Sequence, residues 1–185
     1  MTNEHLRTSK GQNDECYTYR YAVEPLLEYL EPFRNKNIWC PFDTAESEFV
    51  KVFQENGYNV TCSHIDYGQD FYKYEPEKWD ILISNPPFTN KTEMFKRVIS
   101  FKKPFAILMS MAYLNDGIAA KVFKDIDLQI LSFDKRMEFK NQSVEKKINY
   151  LSAYFCSEFL PDNICPKSKI VFSNFKNRNQ LNLFK

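Results

Sequence analysis

Short apolar runs of strand length recur along the chain, and amphipathic stretches separate them. Ile38-Trp39-Cys40-Pro41-Phe42, Asn59 to Ile65, Trp79 to Ser84, Phe105 to Ala112, Leu128 to Phe133 and Tyr150 to Phe155 read as strands. Tyr21 to Leu30 reads as a helix, with Ala22, Leu26, Leu27 and Leu30 on one face. Thr44 is placed to cap a helix with Ser47 and Glu48 in its first turns, running to about Asn56, and Gly57 suits its C-terminal cap. Thr92 to Ser100 and Ile118 to Lys124 are the remaining helical stretches. Strands alternating with helices predict a single α/β domain, its central sheet mostly parallel and wrapped by helices on both faces.

Composition narrows the class. With 185 residues the chain is long enough for one well-cored domain. Its 17 Phe, 11 Tyr and 2 Trp argue against disorder. The polar residues 1–13 are expected to fray, residues 14–160 to form the domain, and residues 161–185 to form a basic tail. No run is long and apolar enough for a membrane span and no leader pattern is visible, so a cytoplasmic protein with no membrane partner is expected. The five cysteines (Cys16, Cys40, Cys62, Cys156, Cys165) include no Cys-x-x-Cys pair, and His5 and His64 are the only histidines. Neither a metal site nor a disulfide framework is expected from that spacing.

The net charge of +1 says little until it is divided along the chain. Residues 1–80 carry 8 basic and 15 acidic side chains, a balance of −7, whereas residues 81–185 carry 17 and 9, a balance of +8. The basic half holds Lys135, Arg136, Lys140, Lys146 and Lys147, then Lys167, Lys169, Lys176 and Arg178, with aromatic and amide residues between them. That interleaving suits a surface touching phosphates and bases. Lys135 to Lys147 lie between two predicted strands, in a segment long enough for a loop.

The sharpest signal follows the third predicted strand. Ser84-Asn85-Pro86-Pro87-Phe88 is a stiff ledge, because each proline fixes φ and removes a donor, and Asn85 is held extended by the proline after it. An amino group conjugated to a ring is a poor nucleophile. The Asn85 side-chain oxygen and the Pro86 carbonyl could accept its two hydrogens and favour the lone-pair-exposed form, while Phe88 stacks on the ring. A base inside a duplex must first be extruded to reach such a pocket.

The ledge resembles the (Asp/Asn/Ser)-Pro-Pro-(Tyr/Phe) motif of amino-methyltransferases that use S-adenosylmethionine. Asp14-Glu15-Cys16-Tyr17-Thr18, followed by Ala22-Val23-Glu24-Pro25-Leu26-Leu27, is similar to the opening of small phage-type adenine DNA methyltransferases, with Cys16 and Tyr19 in place of their Trp and Pro. The resemblance covers about residues 14 to 160 and implies a Rossmann-like methyltransferase fold with S-adenosylmethionine as cofactor. It implies methyl transfer to the exocyclic amino group of adenine, in DNA, with Asn85, Pro86, Pro87 and Phe88 as the catalytic set. It also implies cofactor contacts from Tyr17 and Thr18, from Asp43 and Ser47 in the first turn, from His64 and Asp66 after the second strand, and from Asp70-Phe71 beside the adenine.

One departure stands out. The four glycines are Gly11, Gly57, Gly68 and Gly117, so the first turn, Pro41 to Ser47, has none where the family has a glycine-rich loop. Asp43 there has two readings, as an acceptor for the cofactor's amino group or as a cap for the following helix. The departure keeps a second reading open: an inactive methyltransferase-like phage protein that binds nucleic acid or blocks a host defence complex. RNA adenine and a protein glutamine remain alternative acceptors. A separate protein partner supplying target recognition also remains open, since no recognition domain is visible.

Overall fold

The computed structural model describes residues 16–115, 117–141, 148–162 and 170–173. In chain order its elements are β1 (Cys16–Thr18), α1 (Arg20–Val23), β2 (Asn37–Pro41), α2 (Glu48–Glu55), β3 (Asn59–Ser63), β4 (Ile81–Ser84), α3 (Lys91–Ser100), β5 (Phe105–Ser110), α4 (Gly117–Val122), β6 (Gln129–Phe133), β7 (Met137–Asn141), β8 (Ile148–Tyr150), β9 (Ser152–Ser157) and β10 (Ile170–Ser173). Seven strands form one sheet in the order β10-β6-β9-β5-β4-β2-β3. All neighbours run parallel except β9, which is antiparallel to both β5 and β6.

Alternation within the strands builds two cores from one sheet. Ile38 and Cys40, Ile81 and Ile83, and Ala106 and Leu108 pack on one face with Ala22 of α1 and Phe49, Val50 and Phe53 of α2. The intervening Trp39, Leu82, Phe105, Ile107 and Met109 pack on the other with Met94, Phe95 and Val98 of α3 and Ala119 of α4. Trp39 is the anchor of the second face. It is fully buried, 5.0 Å from the Trp79 ring and 5.7 Å from each of Phe71 and Phe101, and its indole N–H donates to Ser63 Oγ at 2.9 Å. Truncating it to alanine would cost about 3–5 kcal/mol. The fold is thus the mostly parallel α/β arrangement with helices on both faces that the hydrophobic pattern predicts, and it is Rossmann-like, as the resemblance implies.

Four local expectations are corrected. The stretch Tyr21 to Leu30 is not one α-helix: α1 ends at Val23 and 3-10 turns follow at Glu24–Tyr29 and Glu31–Phe33. Pro25 and Pro32 lie at the starts of these turns, and a residue without N–H cannot continue the α-helical ladder. Thr44 does not cap α2. It opens a tight turn in which Thr44 N–H donates to Ser47 Oγ at 3.0 Å, and Ser47 is the residue before the helix. Gly57, by contrast, takes the expected left-handed position after α2, at φ 79°.

The third correction concerns Lys135 to Lys147. Met137–Asn141 is a strand, and β1-β7-β8 form a separate antiparallel sheet. Alternate residues carry the explanation, since Met137 and Phe139 are fully buried while Glu138 is not. Tyr21 of α1 fixes this sheet in place: its Oη accepts from the Glu138 N–H at 2.7 Å. Fourth, Tyr150 to Phe155 is divided at the exposed Leu151 between β8 and β9. Within residues 161–185, Ile170–Ser173 adds a parallel edge strand to β6.

Candidate active site

The sheet reverses its winding between β2 and β4. From β2 the chain moves outward to β3, then returns to the other side of β2 with β4. Ligands of open α/β sheets bind beyond the C-terminal strand ends at such a switch point. Here those ends are Pro41 and Ser84, and they are tied together: Ser84 Oγ hydrogen-bonds the Pro41 carbonyl and the Asp43 carboxyl. Asp43 is only 6% exposed. Burial pushes its carboxyl up to about 7, against the opposing pull of hydrogen bonds from Ser84 and Ser47. Asp43 therefore bonds to side chains on two elements, and its carboxyl is inside the protein.

The ledge follows directly. Pro86 is buried, Pro87 is exposed and Phe88 is half-buried against the cluster on the α3 face. Asn85 Nδ2 donates to Thr18 Oγ1 at 3.0 Å. Thr18 is itself held by the pairing of β1 with β7, opposite Phe139. This bond sets the rotation of the Asn85 amide, with its oxygen on the arm away from Thr18. Beyond the ledge, Asn90 leads into α3 in the left-handed region (φ 62°). Thr92 Oγ1 lies 3.3 Å from the buried Tyr113 hydroxyl, and Lys91 Nζ sits 5.0 Å above that ring.

The glycine-free first turn makes its bend with Phe42, at φ 71°. A non-glycine residue there is strained by roughly 1–2 kcal/mol. The ring packs at a tilt of 47° with its centroid 4.6 Å from that of Phe71, which is 4% exposed and also packs near Trp39 and Phe101. The Arg97 guanidinium lies 5.5 Å over the Phe71 ring. Asp70 Oδ1 accepts from Tyr72 N–H at 3.0 Å and so closes its own turn.

Among the sequence-predicted residues, Thr18 meets Asn85, and Asp43 meets Ser47. Phe71 reaches the first turn through Phe42, whereas the side-chain bond of Asp70 closes its own turn. His64 and Asp66 form a separate turn at the end of β3, where His64 Nδ1 accepts the Asp66 N–H at 3.2 Å and Asp66 is exposed. Tyr17 is 45% exposed on β1. Lys135 and Arg136 are exposed between β6 and β7, and Lys140 stands on β7 opposite Tyr17. Lys146 and Lys147, like Lys167, Lys169, Lys176 and Arg178, lie outside the described residues. Sequence reasoning missed Ser84 and Phe42. The position of Phe42, first after the strand in a turn that demands a left-handed residue, was the available signal. Among the described residues no cluster of His, Cys, Asp and Glu could hold a metal, and no helix is long and apolar enough to cross a membrane.

No family model and no curated protein matches the chain. Among solved structures it is similar to precorrin-6y C5,15-methyltransferase from Geobacter metallireducens GS-15, at 11% identity over 83% of this chain and 93% of that one, with a TM-score of 0.44. It is also similar to a Listeria monocytogenes chain assigned to the class I S-adenosylmethionine-dependent methyltransferases, at 14% identity and a TM-score of 0.43. That match covers 84% of this chain and 64% of the Listeria chain. At such identities and TM-scores neither likeness bears on the site or its substrate.

Proposed function

We propose that the protein is an S-adenosylmethionine-dependent methyltransferase acting on the exocyclic amino group of adenine, with DNA as the acceptor. The observation that carries the reading is Asn85, a side-chain amide on a double-proline ledge at the switch point, whose Nδ2 donates to Thr18 from a different sheet.

On this reading the first turn, β1 and the end of β3 hold the cofactor. The left-handed turn at Phe42 offers the backbone approach a glycine turn would give. Tyr17 and Thr18 supply hydroxyls for a carboxylate, and the exposed Asp66 supplies an acceptor for ribose hydroxyls. S-adenosylmethionine supplies an electrophilic methyl on a sulfonium. This chain's part is positioning, which can lower a barrier by about 7–11 kcal/mol when the geometry is right. Asn85 Oδ1 and the Pro86 carbonyl accept the amino hydrogens, and Phe88 stacks on the base. Lys135, Arg136 and Lys140, on and beside β7, contact the phosphate backbone.

One observation favours a second reading, a catalytically retired relative that binds nucleic acid or inhibits a host defence complex: the first turn carries a ring, Phe42, that packs on Phe71. Calorimetric titration with S-adenosylmethionine, followed by transfer of radiolabelled methyl to mixed DNA, separates the two. The enzyme binds the cofactor and labels adenine, and Asn85→Ala keeps the affinity while losing the label. No heat at millimolar cofactor, or an active Asn85→Ala protein, sinks the enzyme reading.

A further inference from the structure

Three oxygens meet in a row where β2 and β4 end: the Pro41 carbonyl, Ser84 Oγ and Asp43 Oδ2. Each contact needs a proton between its partners. Ser84 has one hydroxyl hydrogen and the Pro41 carbonyl has none. An ionised Asp43 therefore leaves one of the two contacts without a proton. A protonated Asp43 satisfies both. The other arm of the network has the same direction, since Ser47 Oγ accepts from the Thr44 N–H at 3.0 Å and uses its own hydrogen on the Asp43 carboxyl.

We propose that Asp43 is a positioning residue, a neutral carboxylic acid that donates to Ser84, which donates in turn to Pro41, and that this clasp holds the Asn85 ledge against the end of β2. Ser84 is the residue immediately before Asn85, so the clasp and the Thr18 bond fix the amide from two sides. Burial, a separate cause from the proton count, pushes the Asp43 carboxyl up to about 7 and so favours the same neutral form. The titratable groups that feel its charge are Cys40 on β2, Cys62 on β3 and Tyr154 on β9, and burial pushes all three up, so they stay neutral beside it. This differs from a role in gripping the cofactor's ammonium, which would need an accessible carboxylate. The proposal takes Asn85 as the group that holds the acceptor and so rests on the reading above. The clasp itself does not.

Two variants test it. In Asp43→Asn the amide can do what the acid does, donating to Ser84 and accepting from Ser47, at every pH. In Ser84→Ala the clasp is cut. Wild-type turnover should fall about tenfold as pH rises through about 7, the kinetic equivalent of one hydrogen bond. Asp43→Asn should keep the full rate and lose that alkaline limb. Ser84→Ala should show no such limb and run at all pH at the wild type's alkaline rate, about tenfold below its rate under pH 7, with cofactor affinity unchanged. A second readout needs no turnover: the side-chain amide NMR signal of Asn85 should titrate near pH 7 in the wild type and be flat in Asp43→Asn. If Asp43→Asn instead behaves like Ser84→Ala, or weakens S-adenosylmethionine binding tenfold, Asp43 works as a carboxylate and the clasp is wrong. A flat Asn85 signal in the wild type also overturns it. A protein with no turnover whose Asn85 signal still titrates near pH 7 retires the enzyme reading and leaves the clasp standing.

Discussion

Thr18→Val isolates the contact between β1 and the Asn85 amide. Valine has nearly the shape of threonine but no hydroxyl, so the acceptor for Asn85 Nδ2 at 3.0 Å disappears while the strand pairing of β1 with β7 stays. The site is half-buried rather than sealed, so water can replace the lost partner, and global stability should move by no more than about 0.5 kcal/mol. A net hydrogen bond is worth roughly 0.5–1.5 kcal/mol. If that energy holds the amide in one rotation, its loss appears in the transition state, and turnover falls about three- to tenfold. Cofactor affinity should weaken far less than turnover. Single-turnover transfer of labelled methyl, alongside urea denaturation and calorimetry, separates these quantities. Unchanged turnover in a well-folded Thr18→Val protein would refute the idea that β1 orients Asn85.

Asp43 also makes stability depend on pH. Its carboxyl titrates near 3.8 when unfolded and at about 7 when folded, so the native protein holds a proton that the unfolded chain releases. Stability is therefore full below about pH 4 and is lost as pH rises through about 7, by on the order of 4 kcal/mol in the limit. Urea midpoints across that window should show the slope in the wild type and not in Asp43→Asn. Gly57→Ala, which forces a Cβ into the left-handed region at φ 79°, should cost about 1–2 kcal/mol in the same assay. Changing Lys135 and Arg136 together to glutamine should weaken DNA binding about equally for all sequences and flatten the salt dependence by roughly one to two contacts. An unaltered salt slope would move the nucleic-acid grip elsewhere.

The middle of the main sheet was legible because its central strands are buried on both faces. Phe105 to Leu108 and Ile81 to Ile83 are apolar at successive positions, which only a covered strand tolerates, and the helices between them show their faces plainly. The stiffness of the ledge was legible because two successive prolines fix φ and remove two backbone donors whatever surrounds them. What stayed hidden depended on partners distant in the chain. β1 is three residues with no apolar alternation, and it is a strand only because Met137–Asn141 lies beside it. Asp43 looked like a ligand or a cap because both roles are local; its bond to Ser84 spans 41 residues. Phe71 looked like a purine platform, and nothing local said that Trp39 and Phe42 already pack on its ring.

The small β1-β7-β8 sheet makes the site a late event in folding. Thr18 reaches Asn85 across 67 residues, and Tyr21 reaches Glu138 across 117. Contacts of such separation must meet the cost of closing long loops before they return any stability. A chain emerging from a ribosome can build β2, β3 and β4 and already display the Asn-Pro-Pro-Phe ledge. The amide cannot be held until β7 has emerged to fix β1. The polypeptide thus carries its own checkpoint: chains that stop before β7 present the ledge without the strand that holds Thr18 against Asn85.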